Sequence, residues 1–531
     1  MEKVSTLVFW VSVIALALPP IQGRAEVPVH TKVYENRFDR IIEIDMWSQL
    51  RIGKAAGGER FLGLFGARDT VYQELENLPE HRLVRLRFDL IVALTWDGES
   101  QRGDAPDTWA LSVTGGPLLM LTSFCNPLKL LDPDRIARGD AALLPKLQSF
   151  PDEFPLMYHP AGTGSTPIDL GIQFRPGKLE VVHSRYPIDI IFPHTGSELS
   201  LQYTGNLTSP ATDEAWGIDN VIIETIDRET SFGEEEMAQL WEKLRGQDPV
   251  AANAAIWKCL SGDPEVSAFI EQRWQAMKNG EAEELDDDQQ RRLIELARQL
   301  NSDAFVTRQQ AGAELMKLGE QALPTLRSEL AKSDDPGLRR ALQTTIGKIQ
   351  KRFAGSEKKR HLDLVATRVA HLRRIAQTHA NGYKVTSSAQ GLREFPNDPI
   401  GAAADGYFPA NSNLQVVPRF TWSPKEGTEE WLQYEFPKPK QISMAEVFWF
   451  EPYEDRSCLP TSWKVSYRSA GGAWKDVEAK TPYDLAPHQF NRVDFEAVEA
   501  SAVRLTVQLP EITGGVYEFR VSDQATETKR K

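Results

Sequence analysis

The sequence predicts a multidomain protein of mixed β and α structure, in which two antiparallel β-sandwich domains flank an α-helical region. The hydrophobic pattern has a period of two from about Val27 to Ile226, which is typical of strands with one buried face. It takes the helical period near Ser231 and keeps it to about Thr378. Period two returns beyond Gly382, in a segment that holds five of the 13 tryptophans, more than one small core needs.

These changes of period, with the turn-forming residues between them, divide the chain into six predicted segments. The segments are a signal peptide (1–25), an N-terminal β-sandwich (26–227), a helical region (228–355), a connector helix (356–380), a C-terminal β-sandwich (381–523) and a polar tail (524–531).

The amino-terminal segment is typical of a secretory signal peptide. Lys3 precedes an apolar run from Leu7 to Leu18, and Gly23 and Ala25 are small residues suited to cleavage. The run is too short to span a bilayer as a helix, although an uncleaved anchor is the alternative. We therefore expect an exported protein, in the periplasm, on the cell surface or in the medium, with no membrane span.

Charge and cysteine content narrow the classes of partner. The formal net charge of −14 disfavours nucleic acid and anionic membranes as partners. Cys125, Cys259 and Cys458 are too few and too far apart to predict a disulfide framework or a metal site. We expect three buried thiols that act as small apolar residues.

In the N-terminal region, apolar residues alternate with charged ones between Val84 and Leu90, as in a half-buried strand. Repeats of this pattern between Gly- and Pro-containing turns predict a jelly-roll sandwich. The segments Trp96-Asp97-Gly98 and Asp213 to Val221 resemble those of lectin-like and MAM-type jelly rolls of exported bacterial proteins.

Five acidic residues of this region lie in predicted loops and at strand ends: Asp97, Asp107, Asp213, Glu214 and Asp219. Three interpretations are open. Asp97, Asp107 and Asp219 would be ligands of a structural calcium ion that joins the two sheets. Two carboxylates would instead serve as acid and base of a glycosidase. In the third interpretation they fill ordinary turn and capping roles.

The central region has the pattern of paired amphipathic helices. Ser231 and Glu234 have the spacing of a capping box, which predicts a helix start. The leucine pattern from Asn301 to Leu330 resembles HEAT-like repeats. That resemblance implies a short α-solenoid whose groove would bind a protein partner.

The predicted connector helix carries an apolar stripe and several basic residues. A nucleic-acid patch is one interpretation of the basic residues, but export and overall acidity favour a solvated helix face. The residues are Lys358, Lys359, Arg360, Arg368, Arg373 and Arg374.

The C-terminal region contains four aromatic segments: Val417 to Trp422, Trp431 to Phe436, Glu446 to Phe450 and Leu459 to Trp463. In order and spacing they resemble the discoidin-like (coagulation factor 5/8 type C) module found at the C-terminus of bacterial β-L-arabinofuranosidase-type glycoside hydrolases. The resemblance covers roughly residues 385–521. It implies an accessory β-sandwich only, because the catalytic domain of those hydrolases has no counterpart here.

Modules that resemble this one usually hold a structural calcium ion between an early loop and the last strand. On this chain the resemblance implies Asp405 and Glu518 as its carboxylate ligands, with backbone carbonyls completing the shell. The alternative is a turn aspartate and an exposed strand glutamate.

For a ligand surface the sequence suggests Trp422, Trp449, Tyr453 and Arg456. Indole faces pack flat on sugar rings, and the polar loop after Trp449 is mounted on a rigid sandwich, where such folds recognise partners. The alternative is that Trp422 and Trp449 fill the core.

Trp431 and Trp463 are expected in the core, because each opens a clean alternating strand.

The favoured interpretation is an exported, non-catalytic protein that binds carbohydrate or a cell-surface polymer through its sandwiches, with a helical spacer that offers a protein-binding groove. One alternative is a glycoside hydrolase or lyase with its active site in the N-terminal sandwich. A second is a structural envelope protein, which burial of all five C-terminal tryptophans would favour.

Overall fold

The computed structural model describes residues 28–40, 45–66, 69–98, 106–144, 146–156, 159–207, 209–279, 287–318, 322–353, 356–388, 400–414, 417–422, 427–451, 458–511 and 514–523. The predicted signal peptide and polar tail lie outside these residues, so both stay predictions.

The N-terminal region is built from strands that precede the first long helix. In chain order they are β1 (His30–Asn36), β2 (Ile52–Lys54), β3 (Arg60–Phe65), β4 (Thr70–Leu75), β5 (Leu83–Leu94), β6 (Thr108–Val113), β7 (Leu118–Ser123), β8 (Leu128–Leu130), β9 (Leu147–Gln148), β10 (His159–Pro160), β11 (Thr166–Pro167), β12 (Leu179–Val181), β13 (Ser184–Pro193), β14 (Leu199–Asn206) and β15 (Glu214–Ile226).

These strands form two main antiparallel sheets with a shared aromatic core. One sheet has the order β11-β13-β5-β15-β3-β2, with β1 paired to β15, and the other has the order β4-β14-β6-β7. The ring centroids of Phe88 of β5 and Trp109 of β6 lie 5.9 Å apart across the sheets, and those of Trp109 and Trp216 of β15 lie 6.1 Å apart. The alternation of β5 explains this, because Leu86 and Phe88 are buried while Arg87 between them is not.

The helices of the described residues are α1 (Pro133–Ala137), α2 (Glu234–Arg245), α3 (Pro249–Leu260), α4 (Pro264–Asn279), α5 (Asp287–Gln299), α6 (Phe305–Leu318), α7 (Ala322–Lys332), α8 (Pro336–Phe353) and α9 (Ser356–Asn381). Short 3-10 turns occur at Asp140–Leu143 and Ile400–Ala404. The expected capping box is shifted, because α2 begins at Glu234 with Gly233 as its N-cap, and the Gly233 amide donates to Glu236.

The long helices divide into two groups. Helices α2, α3, α4 and α9 contribute side chains to the same core as the N-terminal sheets. Helices α5 to α8 have a core of their own, in which α5 packs on α6 and α7, and α8 packs on α6 and α7. This stack of two hairpins has the layout that a solenoid fragment requires. The HEAT-like assignment itself stays a prediction.

The C-terminal region is a β-sandwich built from strands with long, bent members. The strands are β16 (Lys384–Ser387), β17 (Phe420–Thr421), β18 (Glu429–Phe450), β19 (Ser462–Arg468), β20 (Trp474–Asp476), β21 (Phe490–Gln508) and β22 (Gly515–Ser522).

These strands pair in the order β17-β22-β18-β21-β19-β20, with β16 on β18. The register of β18 against β21 shifts between Glu435 and Lys440. Such a shift bends both strands, so they contribute to both layers around one core.

The two β regions contact each other directly. Leu118, Leu121 and Phe154 of the N-terminal region share a small apolar cluster with Phe448 and Tyr517 of the C-terminal sandwich. The prediction that helices act as a spacer between the β regions is therefore wrong.

Helix α9 is fixed to the N-terminal region by two buried ion pairs. Arg368 donates from Nε and Nη2 to the two carboxylate oxygens of Asp152, at 2.7 and 2.9 Å. Arg374 pairs with Glu153 at 2.5 Å. The prediction of a solvated basic face is wrong for Arg368 and Arg374, which are both buried. Their charges tolerate burial because each guanidinium faces a carboxylate.

Other basic residues of α9 are exposed as expected. Arg373 lies on the outside of the helix and pairs with Glu271 of α4 at 2.7 Å, with both side chains more than 40% exposed. Such pairs contribute little to stability, since solvent screens them.

All three cysteines are buried, as predicted, and all three are in the thiol form. Burial raises the pKa of the Cys125 and Cys259 thiols to about 12 in each case. No helix among the described residues combines the length and apolarity that a bilayer crossing needs.

The Arg368–Asp152 pair yields a stability prediction. Asp152→Asn leaves the Arg368 charge buried without a counter-charge, so we expect the free energy of unfolding to fall by about 3 kcal/mol. Urea denaturation followed by tryptophan fluorescence measures this change. Glu271→Gln is the matched control, because it removes a carboxylate paired with the same helix at the surface, and we expect a change below about 1 kcal/mol. Equal effects of the two variants would contradict the assignment.

Candidate functional site: the outer face of the C-terminal sandwich

Two of the tryptophans predicted to face a ligand lie in the core. Trp422 is 1% exposed and packs edge-on against Phe420 at 5.1 Å. Trp449 is 0% exposed and packs edge-on against Trp463 at 5.8 Å. Trp422 directly follows β17 and Trp449 lies in β18, and both rings point into the core that holds Phe420 and Val447. The prediction that these two indoles form an exposed sugar platform is therefore wrong.

The other two predicted ligand contacts, Tyr453 and Arg456, lie outside the described residues. Their assignment stays a prediction.

Two other tryptophans are exposed in part. Trp431 of β18 was expected in the core, but the core positions of that strand are Leu432, Tyr434 and Phe436, and Trp431 points the other way. Trp474 of β20 is the second, and sequence reasoning did not single it out.

These two rings belong to a surface that we call the outer face. It consists of the outward residues of four neighbouring strands, whose register aligns Gln433, Arg504 and Ser466 in one row. Its members are Trp431, Gln433, Glu435, Lys464, Ser466, Arg468, Trp474, Asp476 and Arg504.

Arg504 occupies the centre of the outer face, between the two indoles. Its guanidinium carbon lies 4.5 Å from the Trp431 ring centroid and 4.2 Å from that of Trp474. Both distances are within the range of a cation–π contact. Arg468 approaches Trp474 at 5.3 Å. The outer face thus combines aromatic rings with two guanidinium groups.

The hydrogen bonds of Arg504 go to an uncharged group. Its Nε and Nη2 donate to Gln433 Oε1 at 3.2 and 2.8 Å. Partial burial and the neighbouring Arg468 charge both lower the pKa of Arg504. Both effects disfavour the charged form of Arg504, and an anion beside it would favour that form.

Elsewhere in the sandwich, the structure brings Asp405 and Glu518 together, as the calcium prediction requires. Both are buried. Burial, and then the Glu518 charge, raise the pKa of Asp405 well above its usual range. Burial raises the pKa of Glu518 to about 7, and the guanidinium of Arg520 partly opposes that rise.

The carboxylate oxygens of this pair are of the type that calcium binds, but two carboxylates supply fewer ligands than a calcium ion takes. No group of three or more metal-ligating side chains occurs in the described parts of the chain. Glu518 accepts from the Gly406 amide at 2.9 Å, and Asp405 accepts from the Tyr407 amide at 2.7 Å. A calcium ion here would take most of its ligands from backbone carbonyls.

The predicted N-terminal calcium ligands do not form one site. Asp107 and Glu214 are buried and joined by a hydrogen bond, and Asp107 also accepts from the Asp97 amide at 2.6 Å. Burial, and then the Glu214 charge, raise the pKa of Asp107 well above its usual range. Burial raises the pKa of Glu214 to about 7. A hydrogen bond between two carboxyl groups requires one of them to be protonated, so the two groups titrate as a pair.

Asp219 belongs to a different site. Its carboxyl bonds to Glu59, which in turn accepts from Arg185 at 2.6 Å. Burial raises the pKa of Asp219 to about 7. The prediction of one calcium site with Asp97, Asp107 and Asp219 as ligands is therefore wrong for Asp219.

A cavity of about 530 Å³ lies where the three regions meet. It is lined by the turn between β6 and β7, by His194, by the end of α9 and by Tyr383 and Lys384. The size suits a small ligand, but its lining offers no arrangement of groups that identifies one.

Comparison with protein families identifies the C-terminal sandwich. Residues 384–518 match the F5/8 type C domain family. The C-terminal domain is therefore a discoidin-like F5/8 type C domain, as the sequence predicted. No curated protein matches the chain. The similarity to arabinofuranosidase-type hydrolases stays a prediction.

Several solved structures resemble about a quarter of the chain. One belongs to the β-galactosidase of Streptococcus pneumoniae, with 17% identity over 26% of this chain and 91% of that one, at a TM-score of 0.23. Another is a chitosan-binding module of a Paenibacillus chitosanase/glucanase, with 16% identity, 26% and 94% coverage and a TM-score of 0.20. A Clostridium perfringens module in complex with GalNAc-β-1,3-galactose has 14% identity, 26% and 94% coverage and a TM-score of 0.21. Similarity at this level does not transfer a ligand.

The Asp107–Glu214 pair generates a pH prediction. The folded-state pKa of Glu214, about 7, lies above the ordinary value of 4.5. The free energy of unfolding therefore falls as the pH rises from about 4.5 through about 7, because the folded state retains a proton that the unfolded state has lost. Glu214→Gln cannot ionise, so we expect a smaller loss of thermal stability between pH 5.5 and pH 8 than in the wild type. Glu180→Gln, at an exposed carboxylate, is the control. If Glu214→Gln and the wild type lose stability in parallel, the raised pKa is refuted.

Proposed function

We propose that this protein is an exported, non-catalytic binding protein whose F5/8 type C domain binds carbohydrate or another cell-surface polymer through the outer face. The observation that carries this proposal is the partial exposure of Trp431 and Trp474 on one sheet surface. A solvated sheet face normally carries small or charged side chains, and aromatic rings placed there cost hydration without contributing to the core.

The chemistry of the outer face suits a saccharide. Indole rings offer flat apolar surfaces to the C–H groups of a sugar ring. Asp476 and Lys464 are exposed on the same face and can exchange hydrogen bonds with sugar hydroxyls. Burial of roughly 80 Å² of one indole contributes about 2 kcal/mol. A single weak site of this kind is useful when many copies act together.

The enzyme alternative has less support. A glycosidase needs two carboxyl groups about 5–10 Å apart with room for the sugar between them. Asp107 and Glu214 instead bond to each other and are both buried. We propose that this pair is structural. The envelope-protein alternative is also weakened, because two of the five C-terminal tryptophans are not fully buried.

The binding proposal is tested on a glycan array with the full-length protein. The panel takes chitosan oligosaccharides, pectin and GalNAc-β-1,3-galactose as starting ligands, together with plant and bacterial polysaccharides. We expect Trp474→Ala to weaken binding of the best glycan about 30-fold, the equivalent of 2 kcal/mol.

Phe305→Ala is the matched control, since it removes an aromatic ring that is 67% exposed on helix α6, away from the outer face. It should leave binding unchanged. A protein that binds no member of the panel, or that binds as well after Trp474→Ala, would refute the proposal.

Calcium binding at Asp405 and Glu518 is a second proposal. Two buried carboxylates whose charges repel each other would be stabilised by a cation between them. We expect calcium to raise the thermal midpoint of the protein over that in EDTA, because an ion that binds the folded state stabilises it. Glu518→Gln should remove the difference. A wild-type midpoint that is the same in calcium and EDTA would exclude the site.

A further inference from the structure

We propose that the outer face is specific for anionic saccharides, with Arg504 as the residue that contacts the carboxylate or sulfate group. This inference rests on the proposed function and names the class of ligand. Three features of the described residues support it: the free donors of Arg504, the pairing of the neighbouring carboxylates, and the rigid placement of the guanidinium.

Arg504 has donors to spare. Its hydrogen bonds use Nε and one hydrogen of Nη2, both directed at the same Gln433 oxygen. Within the described residues, the Nη1 group and the second Nη2 hydrogen donate to no protein acceptor. A guanidinium edge with free parallel donors is the geometry that binds a carboxylate or sulfate through two hydrogen bonds.

The acidic residues nearest to Arg504 on the outer face already have cations. Glu435 accepts from Arg468 at 3.3 Å and from Gln433 at 3.1 Å. Asp476 accepts from Ser466 at 2.6 Å and lies 3.3 Å from Lys464. Among the described residues, no carboxylate oxygen lies within ion-pair distance of Arg504. The guanidinium of Arg504 therefore has no ion-pair partner among these residues and is available to an anionic ligand.

The two indoles hold the guanidinium in place before any ligand arrives. With Trp431 on one side and Trp474 on the other, the side chain keeps little rotational freedom. A group that is already ordered loses less entropy on binding. A sugar ring that stacks beside an indole would thus bring a carboxylate or sulfate substituent to a fixed cation.

A purely structural stack is the competing explanation. In that case Arg504 stabilises the sheet by cation–π contacts and no ligand is involved. The two explanations differ in binding. Loss of the guanidinium would lower stability under both, but would weaken retention of an anionic glycan only if Arg504 contacts it.

The test uses full-length protein in affinity electrophoresis through polygalacturonate, which carries one carboxylate per sugar, and through its fully methyl-esterified form, which carries none. Dextran sulfate and neutral dextran form a second pair with sulfate in place of carboxylate. We expect retention by at least one anionic polymer, and at least about tenfold weaker retention by its neutral counterpart.

Arg504→Gln is the central variant, with Lys464→Gln as the matched control. Both remove one positive charge from the same face, but Lys464 is already paired with Asp476. We expect Arg504→Gln to weaken anionic retention about tenfold and Lys464→Gln to change it less than about twofold. Thermal melting of both variants reports whether each remains folded.

The outcomes separate the two proposals. Equal retention on charged and neutral polymers, lost in Trp474→Ala, would overturn the anionic specificity and leave carbohydrate binding intact. Equal weakening by Arg504→Gln and Lys464→Gln would overturn it as well, since a diffuse charge effect explains that result. Failure to bind every polymer and the whole glycan panel would overturn both.

Discussion

The two buried ion pairs of helix α9 are the constraint on which the arrangement of this molecule depends. Arg368 and Arg374 point away from the exposed basic residues of the helix. Their guanidinium groups pair with Asp152 and Glu153 of the N-terminal region. Burial opposes ionisation of Asp152, but hydrogen bonds from His159 and Arg368 outweigh it, and the pKa of Asp152 is lower than usual. A charge that is buried and paired on both sides fixes position more strictly than apolar contact does.

Arg374 also connects helix α9 to the C-terminal sandwich. Arg374 also donates to the carbonyl of Leu118 and lies over the ring of Tyr407, at 5.8 Å. Tyr407 in turn donates to the carbonyl of Phe154 at 3.4 Å. One helix therefore ties the N-terminal sheets to the C-terminal sandwich. Strand β18 carries the apolar contact to the N-terminal region near Phe448 and the outer face near Trp431, so the orientation of the outer face is set by that junction.

The hydrophobic periodicity of each region can be predicted from the sequence, but most of the side-chain packing cannot. The alternation in β5, the F5/8 type C motifs and the burial of the three cysteines could all be inferred from local pattern. The faces of individual tryptophans could also have been inferred. Trp422 shares its parity with Phe420, which places it inside, and Trp431 shares its parity with Gln433 and Glu435, which places it outside.

Other features depend on contacts between residues far apart in the chain. Arg368 is 216 positions from Asp152, and no local pattern distinguishes it from Arg373, which is exposed. Only the family resemblance indicates that Asp405 and Glu518 are neighbours, because no local pattern links them. The separation of Asp219 from Asp107 has a similar origin, since side-chain partners such as Glu59 are set by sheet order, which the sequence does not show.

The three reduced cysteines have a consequence for how the native state is reached. They are the whole cysteine content of the chain, and none forms a cross-link. Since burial keeps the Cys125 and Cys259 thiols protonated, the reactive thiolate is scarce in the native state. Maturation therefore requires neither an oxidant nor a disulfide isomerase, and the same native state is compatible with a reducing or an oxidising compartment.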